Sequence, residues 1–455
     1  MKEINRKRTI DKIDDLANRQ PNPDPDVFLD WDDRDLSTEL IDTGKKTPGV
    51  DKPMLVITLV ILLIGVIMVL SASFTRGLYM QSDPLRLFSR QFVFAVSGVA
   101  LMLVTSRLNV RTLSRWSMQL LLASLVLLVL VLIIGIRVNG ARRWIGIGGE
   151  SSSLTFQPSE IAKLALILAF AQMMCKLGKE RMRTFKFGVL PFAVVTGVMI
   201  ILLRMEPHLS AIIIVTALAA IMMFAGGTRL RWFLLAITIL AAMICGFIFF
   251  QLRSADPDVG IRDVSMITVR ENLDLSNMGY EGRRITAWLN PDADPLRDGF
   301  QIRQSLNAVG SGGLLGLGLG QSRQKHLYLP EEHNDYIFAI VCEELGFIGA
   351  MLILLLFTLL IIRGYWLAMN ANDKFSSLIT IGITSLLALQ VFLNIAVVTN
   401  LLPATGISLP FFSYGGTALW IQLIQIGIIL AVSREIPLTK DKKNQIRGYH
   451  PEKVK

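Results

Sequence analysis

Charge is scarce in this chain. Only 18% of its 455 residues are Asp, Glu, Lys or Arg, while 52% are hydrophobic. A soluble domain carries about 25% charge, so this composition excludes an ordinary soluble enzyme. Cysteine is scarcer still. Cys175, Cys245 and Cys342 stand far apart, each in or beside an apolar run. That spacing supports neither a disulfide framework nor a metal-binding motif, and buried thiols of this kind act as small hydrophobes. No Gly-Lys-Ser/Thr follows the glycines at 310, 312, 313, 316, 318 and 320. A nucleotide-cradling loop is therefore excluded, and no nucleotide cofactor is expected. Tight turns and close backbone approach explain those glycines better. No signal peptide is read, because the first apolar run begins near Pro53 and is too long for one. No internal repeat stands out, which counts against many secondary transporters.

The formal net charge is +10, which invites a nucleic-acid partner. The placement of the basic residues argues otherwise. They sit at the ends of apolar runs and in short loops, which is the pattern of membrane topology. No nucleic acid is expected to bind.

What the chain has in abundance is apolar runs of spanning length. About 20 apolar residues in a helix cross about 30 Å of hydrocarbon. Backbone groups in lipid must be satisfied within the segment, so the runs are read as helices. Spans are expected at about 53–73, 89–106, 116–137, 159–176, 187–203, 209–227, 231–252, 336–362, 378–400 and 408–432. The fold class is thus an all-α integral membrane protein of about ten transmembrane helices. Arg107, Arg111 and Arg115 lie in one connection, Lys176, Lys179, Arg181, Arg183 and Lys186 in another, and Arg434, Lys440, Lys442, Lys443 and Arg447 near the C-terminus. An even number of spans puts these segments and the N-terminus on one side, and their positive bias makes that side the cytoplasm. Residues 1–52 are polar and proline-bearing and read as a disordered cytoplasmic tail. Residues 53–435 form the membrane domain, and 436–455 a basic cytoplasmic tail. Residues 253–334 then form a large extracytoplasmic loop, in which short interfacial helices are expected.

Chemistry concentrates where this loop meets span eight. Lys325, His326, Glu331, Glu332, His333 and Asp335 crowd together just before Tyr336-Ile337-Phe338. Asp335 suits a helix N-cap. Apolar neighbours should raise its pKa while a helix end lowers it, which can tune a carboxylate for general-base work. Glu343 and Glu344 follow about two turns into the span. Acids there either face a polar cavity or pair with a basic residue of another span. Such a residue is Lys163, three positions from Glu160 on the helix opened by Gln157-Pro158. Arg142 and Arg143 stand at an outer boundary against the inside-positive bias, beside Trp144. They suit either a phosphate or lipid headgroup anchoring. Residues 402–417 interrupt an apolar region with Pro403, Gly406, Pro410, Gly415 and Gly416. Broken backbone of this kind lines a cavity or is buried in protein.

These motifs carry a resemblance. Asn139-Gly140-Ala141-Arg142-Arg143-Trp144 with Gln157-Pro158-Ser159-Glu160 resembles the SEDS family (shape, elongation, division and sporulation). So do Leu329-Pro330-Glu331-x-His333-x-Asp335 running into Glu343-Glu344-Leu345-Gly346, and the run from Leu402 to Gly416. The resemblance covers about residues 55–435. Ser322-Arg323-Gln324-Lys325 looks more like the FtsW division branch than the RodA elongation branch, and a sporulation member also fits. One departure stands out: in Glu206-Pro207-His208-Leu209-Ser210, His208 occupies a place where the family usually has an acid.

The resemblance implies an enzyme, an inverting peptidoglycan glycosyltransferase. It would polymerise lipid II at the outer face of the bacterial cytoplasmic membrane, at the division septum. A class B penicillin-binding protein and other divisome proteins would be its partners. The family's essential acid falls on Asp335. Substrate-binding residues are expected at Arg142, Arg143, Lys163 and Lys325, with His333, Glu344 and Ser413 beside them. A divalent cation, magnesium or manganese, could assist the departing diphosphate, but no metal ligands can be assigned. Two other classes stay open on these residues: a lipid II flippase or transporter, and a scaffold that recruits the crosslinking enzyme.

Overall fold

The computed structural model describes residues 49–80, 83–138, 141–146, 155–255, 280–292, 296 and 298–436. The expected N-terminal tail lies outside these residues except for its last four, and the basic C-terminal tail lies outside them beyond Ile436. The chain is mostly helical. The helices are α1 Lys52–Met80, α2 Arg86–Thr105, α3 Val110–Ile134, α4 Pro158–Met182, the short α5 Phe185–Gly188, α6 Leu190–Met205, α7 Leu209–Ala225, α8 Leu230–Ala255, α9 Tyr280–Leu289, α10 Asp298–Ser311, α11 Ile337–Met369, α12 Lys374–Val398 and α13 Gly416–Glu435. Among the described residues nine helical segments are long and apolar enough to cross a membrane, and α7 adds a shorter apolar helix. The chain is a multi-pass membrane protein.

A small three-stranded antiparallel sheet sits between α3 and α4, which the periodicity did not foretell. Its strands are β1 Ile136–Val138, β2 Ala141–Gly146 and β3 Thr155–Phe156, in that order. The arginine pair Arg142-Arg143 lies on the middle strand, so alternation sends the two side chains to opposite faces.

Helix starts follow local chemistry. Asn109 caps α3 by accepting from the Arg111 N–H, and Asp373 caps α12 by accepting from the Ser376 N–H. Pro158 opens α4, where its missing N–H costs nothing. Asp51 accepts from the Met54 N–H at 2.9 Å and is gripped by Arg363 of α11 at 2.5 Å. This pair marks one end of the bundle. Ser71 lies 20 residues further along α1, about 30 Å at 1.5 Å per residue, and so at the far hydrocarbon edge.

Span eight is not a single straight helix. Gly346 interrupts α11 with φ 68°, and the glycine-rich segment after α10 docks on the break. Leu317 and Gly318 N–H groups donate to the Glu343 and Glu344 carbonyls at 3.0 Å each. Phe347 and Ile348 N–H groups donate back to Gly313 and Leu314 at 2.9 and 3.1 Å. Gly316 has φ 80°, and a Cβ there would run into the Glu344 carbonyl. Close backbone approach is thus the role of this segment.

The expected tenth span, 408–432, starts later than its apolar run. Residues 401–415 are irregular, and α13 begins at Gly416. Pro403 and Pro410 lack N–H groups and obstruct helix. Side chains satisfy the freed backbone instead. Gln422 accepts from Phe411 N at 3.0 Å, Ser413 Oγ from Leu409 N at 2.7 Å and Gln91 Oε1 from Gly415 N at 3.4 Å.

Candidate active site

A cavity of about 730 Å³ opens among the ends of α1, α4, α7, α12 and α13, the sheet and the segment before α11. Its walls mix apolar and polar side chains. Arg76, Arg143, Gln157, Glu160, Lys163, His208, Arg284, His333, Asp335, Gln390 and Gln422 all reach it.

Asp335 stands on this wall and does not cap the helix. The N-cap of α11 is Tyr336, and no side chain caps it. The Asp335 carboxylate makes no hydrogen bond among the described residues. Its backbone, by contrast, is held hard. Three consecutive carbonyls are taken by three donors from the α12–α13 region: His333 O by Tyr414 N at 2.9 Å, Asn334 O by Ser413 Oγ at 2.8 Å, and Asp335 O by Asn394 Nδ2 at 2.8 Å. Asn394 is buried and also donates to Ile407 O at 2.7 Å. It lies 20 residues into α12, about 30 Å along that helix, which puts Asp335 at the hydrocarbon edge. Gly406 faces the carboxylate from the irregular segment. It has φ 74°, and a Cβ there would lie 3.2 Å from Asp335 Oδ2.

Burial pushes the Asp335 pKa up to about 6, and Glu331 pushes the same way. Arg284, His333 and Arg143 oppose the rise, which places three cationic or titratable groups around the carboxylate. The opposition expected from a helix end is thus supplied by side chains. Arg284, from α9 of the large loop, had no signal in the sequence beyond its charge. It donates to Ala404 O at 2.9 Å, tying α9 to the irregular segment. Arg76 of α1 was likewise missed. It lies 3.5 Å from the buried Glu332.

The other expected residues divide. Lys163, Arg143, His333 and Ser413 all line the cavity. Lys163 pairs with Glu160 at 2.7 Å, as their spacing on α4 allows. Arg143 grips the turn before α7 through the Glu206 and Pro207 carbonyls. Ser413 spends its hydroxyl on Asn334 O and Leu409 N, so it holds the wall in place. Arg142 does not reach the cavity. It turns back and donates to Leu132 O at the end of α3 at 3.0 Å, as strand alternation requires.

Lys325 and Glu344 also lie away from the cavity. They pair with each other at 2.9 Å, with side chains 5% and 0% exposed. Ser71 Oγ donates to the same carboxylate at 2.6 Å. Glu343 accepts from Ser322 Oγ at 2.5 Å and from the Arg323 N–H at 3.0 Å. The basic partner of this acid pair is therefore Lys325, from the connecting segment, and Lys163 is not involved.

No group of three or more His, Cys, Asp or Glu side chains among the described residues could cage a metal ion. Among the described residues a single carboxylate without a hydrogen bond, that of Asp335, faces the cavity. Magnesium commonly binds through one or two carboxylates plus the phosphates of its substrate. Among the described residues the cavity thus offers a cation one unpaired carboxylate, which suits an ion that would be carried in with a diphosphate.

A mostly helical, multi-pass membrane protein defines the class, with one carboxylate, among the described residues, free of hydrogen bonds in a cation-rich cavity at the hydrocarbon edge. The family model described as "Cell cycle protein", of FtsW, RodA and SpoVE, matches residues 52–437. The chain belongs to this family, the SEDS family. It is 41% identical to Stage V sporulation protein E of Bacillus subtilis over 394 residues, covering 86% of this chain and 99% of that protein. It is 37% identical to a probable peptidoglycan glycosyltransferase FtsW of Geobacter sulfurreducens, covering 86% and 97%. Among solved structures it resembles a chain of a peptidoglycan synthase complex in which polymerization and crosslinking are coordinated. That match has TM-score 0.65 and 27% identity over 85% of this chain and 98% of the other. The rod shape determining protein RodA of Thermus thermophilus matches with TM-score 0.59 and 26% identity, covering 86% and 98%.

Proposed function

We propose that this chain is a peptidoglycan glycosyltransferase that polymerises lipid II into β-1,4 glycan strands. The observation that carries the reading is the Asp335 carboxylate: free of hydrogen bonds, rigidly mounted, and facing cations across one cavity. Outside the cell no nucleotide sugar is available, so a polymerase there needs a preactivated, lipid-borne donor. In the reaction the acceptor's sugar hydroxyl attacks the anomeric carbon of the donor. Asp335 takes the hydroxyl proton, a new carbon–oxygen bond forms, and the bond to the diphosphate breaks. The lipid diphosphate leaves with the bonding electron pair. Arg143 and Lys163 stabilise its charge. One displacement with no covalent intermediate inverts the anomeric centre, turning an α-linked donor into a β-linked strand. A magnesium or manganese ion belongs to this proposal only as the diphosphate's companion, where it would add further positive charge.

Membrane topology puts the cavity on the extracytoplasmic side under this reading, with the division septum as the site of action. A class B penicillin-binding protein and other divisome proteins are the proposed partners. Relatives named a stage V sporulation protein and a probable peptidoglycan glycosyltransferase FtsW support this branch of the family together, and a sporulation role is the companion reading.

The test is glycan product from pure lipid II, made by the purified chain with and without the cognate penicillin-binding protein. Asp335→Asn keeps size and removes the base, and losing a positioned base costs about 10²–10⁴ in rate. Polymerisation retained by the Asn variant at equal folded amounts would remove Asp335 from this role. A flippase or a scaffold predicts no polymerisation by the wild-type chain at all.

A further inference from the structure

The end of the bundle away from the cavity carries a cluster that the proposed reaction does not use. Lys163 lines the cavity, and Leu177 stands 14 residues further along α4, about 21 Å away. Beyond Leu177 come Lys179, Arg181, Arg183 and Lys186. The turn between α7 and α8 packs against this stretch. Thr228 Oγ1 donates to Gly188 O at 3.2 Å, and the ring centroids of Phe185 and Trp232 lie 5.0 Å apart. Arg231, next to Trp232, thereby joins the cations that follow α4. The cations are gathered on rings. Arg181 Cζ and Lys186 Nζ lie 6.0 and 5.7 Å from the same Phe187 ring centroid. Arg231 Cζ lies 4.9 Å from the Trp232 ring centroid. All three cations are exposed, as are Phe185 and Phe187. Among the described residues no acid forms an ion pair with any of the three.

Membrane orientation requires only an excess of basic residues on one side. It does not require two cations over one ring. The aromatic face attracts each cation, but Arg181 and Lys186 repel each other there, and an anion between them relieves that repulsion. The surroundings specify what carries the anion. Leu190, Val194, Val198 and Ile201 form an exposed apolar stripe along α6. In α8 the share of the apolar stretch that is buried is 0%. Both helices begin beside the cations, so a lipid-facing surface rises directly from the charged cluster. A molecule with an anionic head and apolar tails meets both parts together. An acidic protein segment would meet only the charge.

We infer that Arg181, Lys186 and Arg231, gathered on the rings of Phe187 and Trp232, bind the headgroup of an anionic phospholipid in the leaflet opposite the cavity. The site goes beyond the glycosyltransferase reading and does not depend on it.

The experiment titrates the purified, delipidated full chain in neutral detergent with phosphatidylglycerol and counts bound lipid by native mass spectrometry. A basic residue beside an anionic headgroup is worth about fivefold in affinity, so Arg181→Gln, Lys186→Gln and Arg231→Gln together should weaken binding about 100-fold. Lys186→Gln alone should cost about fivefold and serves if the triple variant does not accumulate. Thermal melting checks that each variant is folded. The control replaces Arg107, Arg111 and Arg115 by Gln, which removes the same charge elsewhere, and should stay within about twofold of wild type. Equal losses in the two triple variants would mean general attraction to positive charge and would overturn the site. Unchanged phosphatidylglycerol binding in the first triple variant would also overturn it and leave the cluster to an acidic protein partner. Phosphatidylcholine bound as tightly as phosphatidylglycerol would remove the headgroup assignment. Displacement of phosphatidylglycerol by an equal concentration of inorganic phosphate would reduce the site to one for a free anion and overturn the lipid.

Discussion

A carboxylate can accept a proton only when it has already lost its own. Burial and the neighbouring Glu331 raise Asp335 to about 6, so the base is present above that pH and disappears below it. The expected kcat/KM profile therefore falls as pH drops through about 6, and measurement between pH 5 and 8 reads it directly. A flat profile down to pH 5 would mean that another group sets the protonation state. Lys325 and Glu344 call for a different measurement. Both are buried and joined at 2.9 Å, so removing one partner strands the other charge away from water. Lys325→Met should cost about 3–5 kcal/mol of stability. Lys325→Met with Glu344→Gln should recover most of it, because no unpaired charge remains. Thermal melting in detergent reports both. Were Lys325 a substrate ligand, the single variant would keep its stability and lose affinity for lipid II. The acid motif was plain in the sequence, but its partner was not. Residue type showed that Glu343 and Glu344 needed company, and nothing linear showed that a connecting segment, rather than α4, would supply it.

At the scale of elements, apolar length located the spans well and their ends poorly. Length sets whether a helix can cross lipid, and length is a property of the sequence alone. Where a helix stops or breaks depends on who satisfies the freed backbone. The run at 408–432 reads as continuous, yet Gln422, Ser413 and Gln91 stabilise an irregular segment through residue 415. Gly346 gave a similar surprise inside α11. It has φ 68°, and a Cβ there would lie 2.6 Å from the Leu315 carbonyl carbon and 2.7 Å from Leu314 O. Gly346→Ala should therefore prevent the segment after α10 from docking and cut the yield of monodisperse protein severely. Gly310→Ala is the control, since nothing lies within 4 Å of its added Cβ. Size-exclusion profiles of the two variants at equal expression decide it; equal yields would show that the docked segment can give way.

For the whole molecule the outstanding quantity is orientation. The basic connection at 176–186 should face the cytoplasm and the segment carrying Leu296 the other side. In a background with Cys175, Cys245 and Cys342 replaced by serine, Thr184→Cys and Leu296→Cys test it. Both positions are exposed, Leu296 at 87%. An impermeant thiol reagent on intact cells should label position 296 and spare 184; equal labelling would overturn the even number of crossings. Membrane character, the approximate placing of the spans and the motifs around Asp335 and Lys163 were determined by the sequence by itself. Each depends on composition, run length or local spacing, which a linear reading contains in full. The cavity was decided only by the tertiary structure. Arg284 and Arg76 come from segments far from Asp335 in the chain, and Asn394 holds its carbonyl from 59 residues away. Strand alternation sends Arg143 into the cavity and Arg142 out of it. Long-range packing chooses which of several equally suitable charges meet, and neither composition nor periodicity carries that choice.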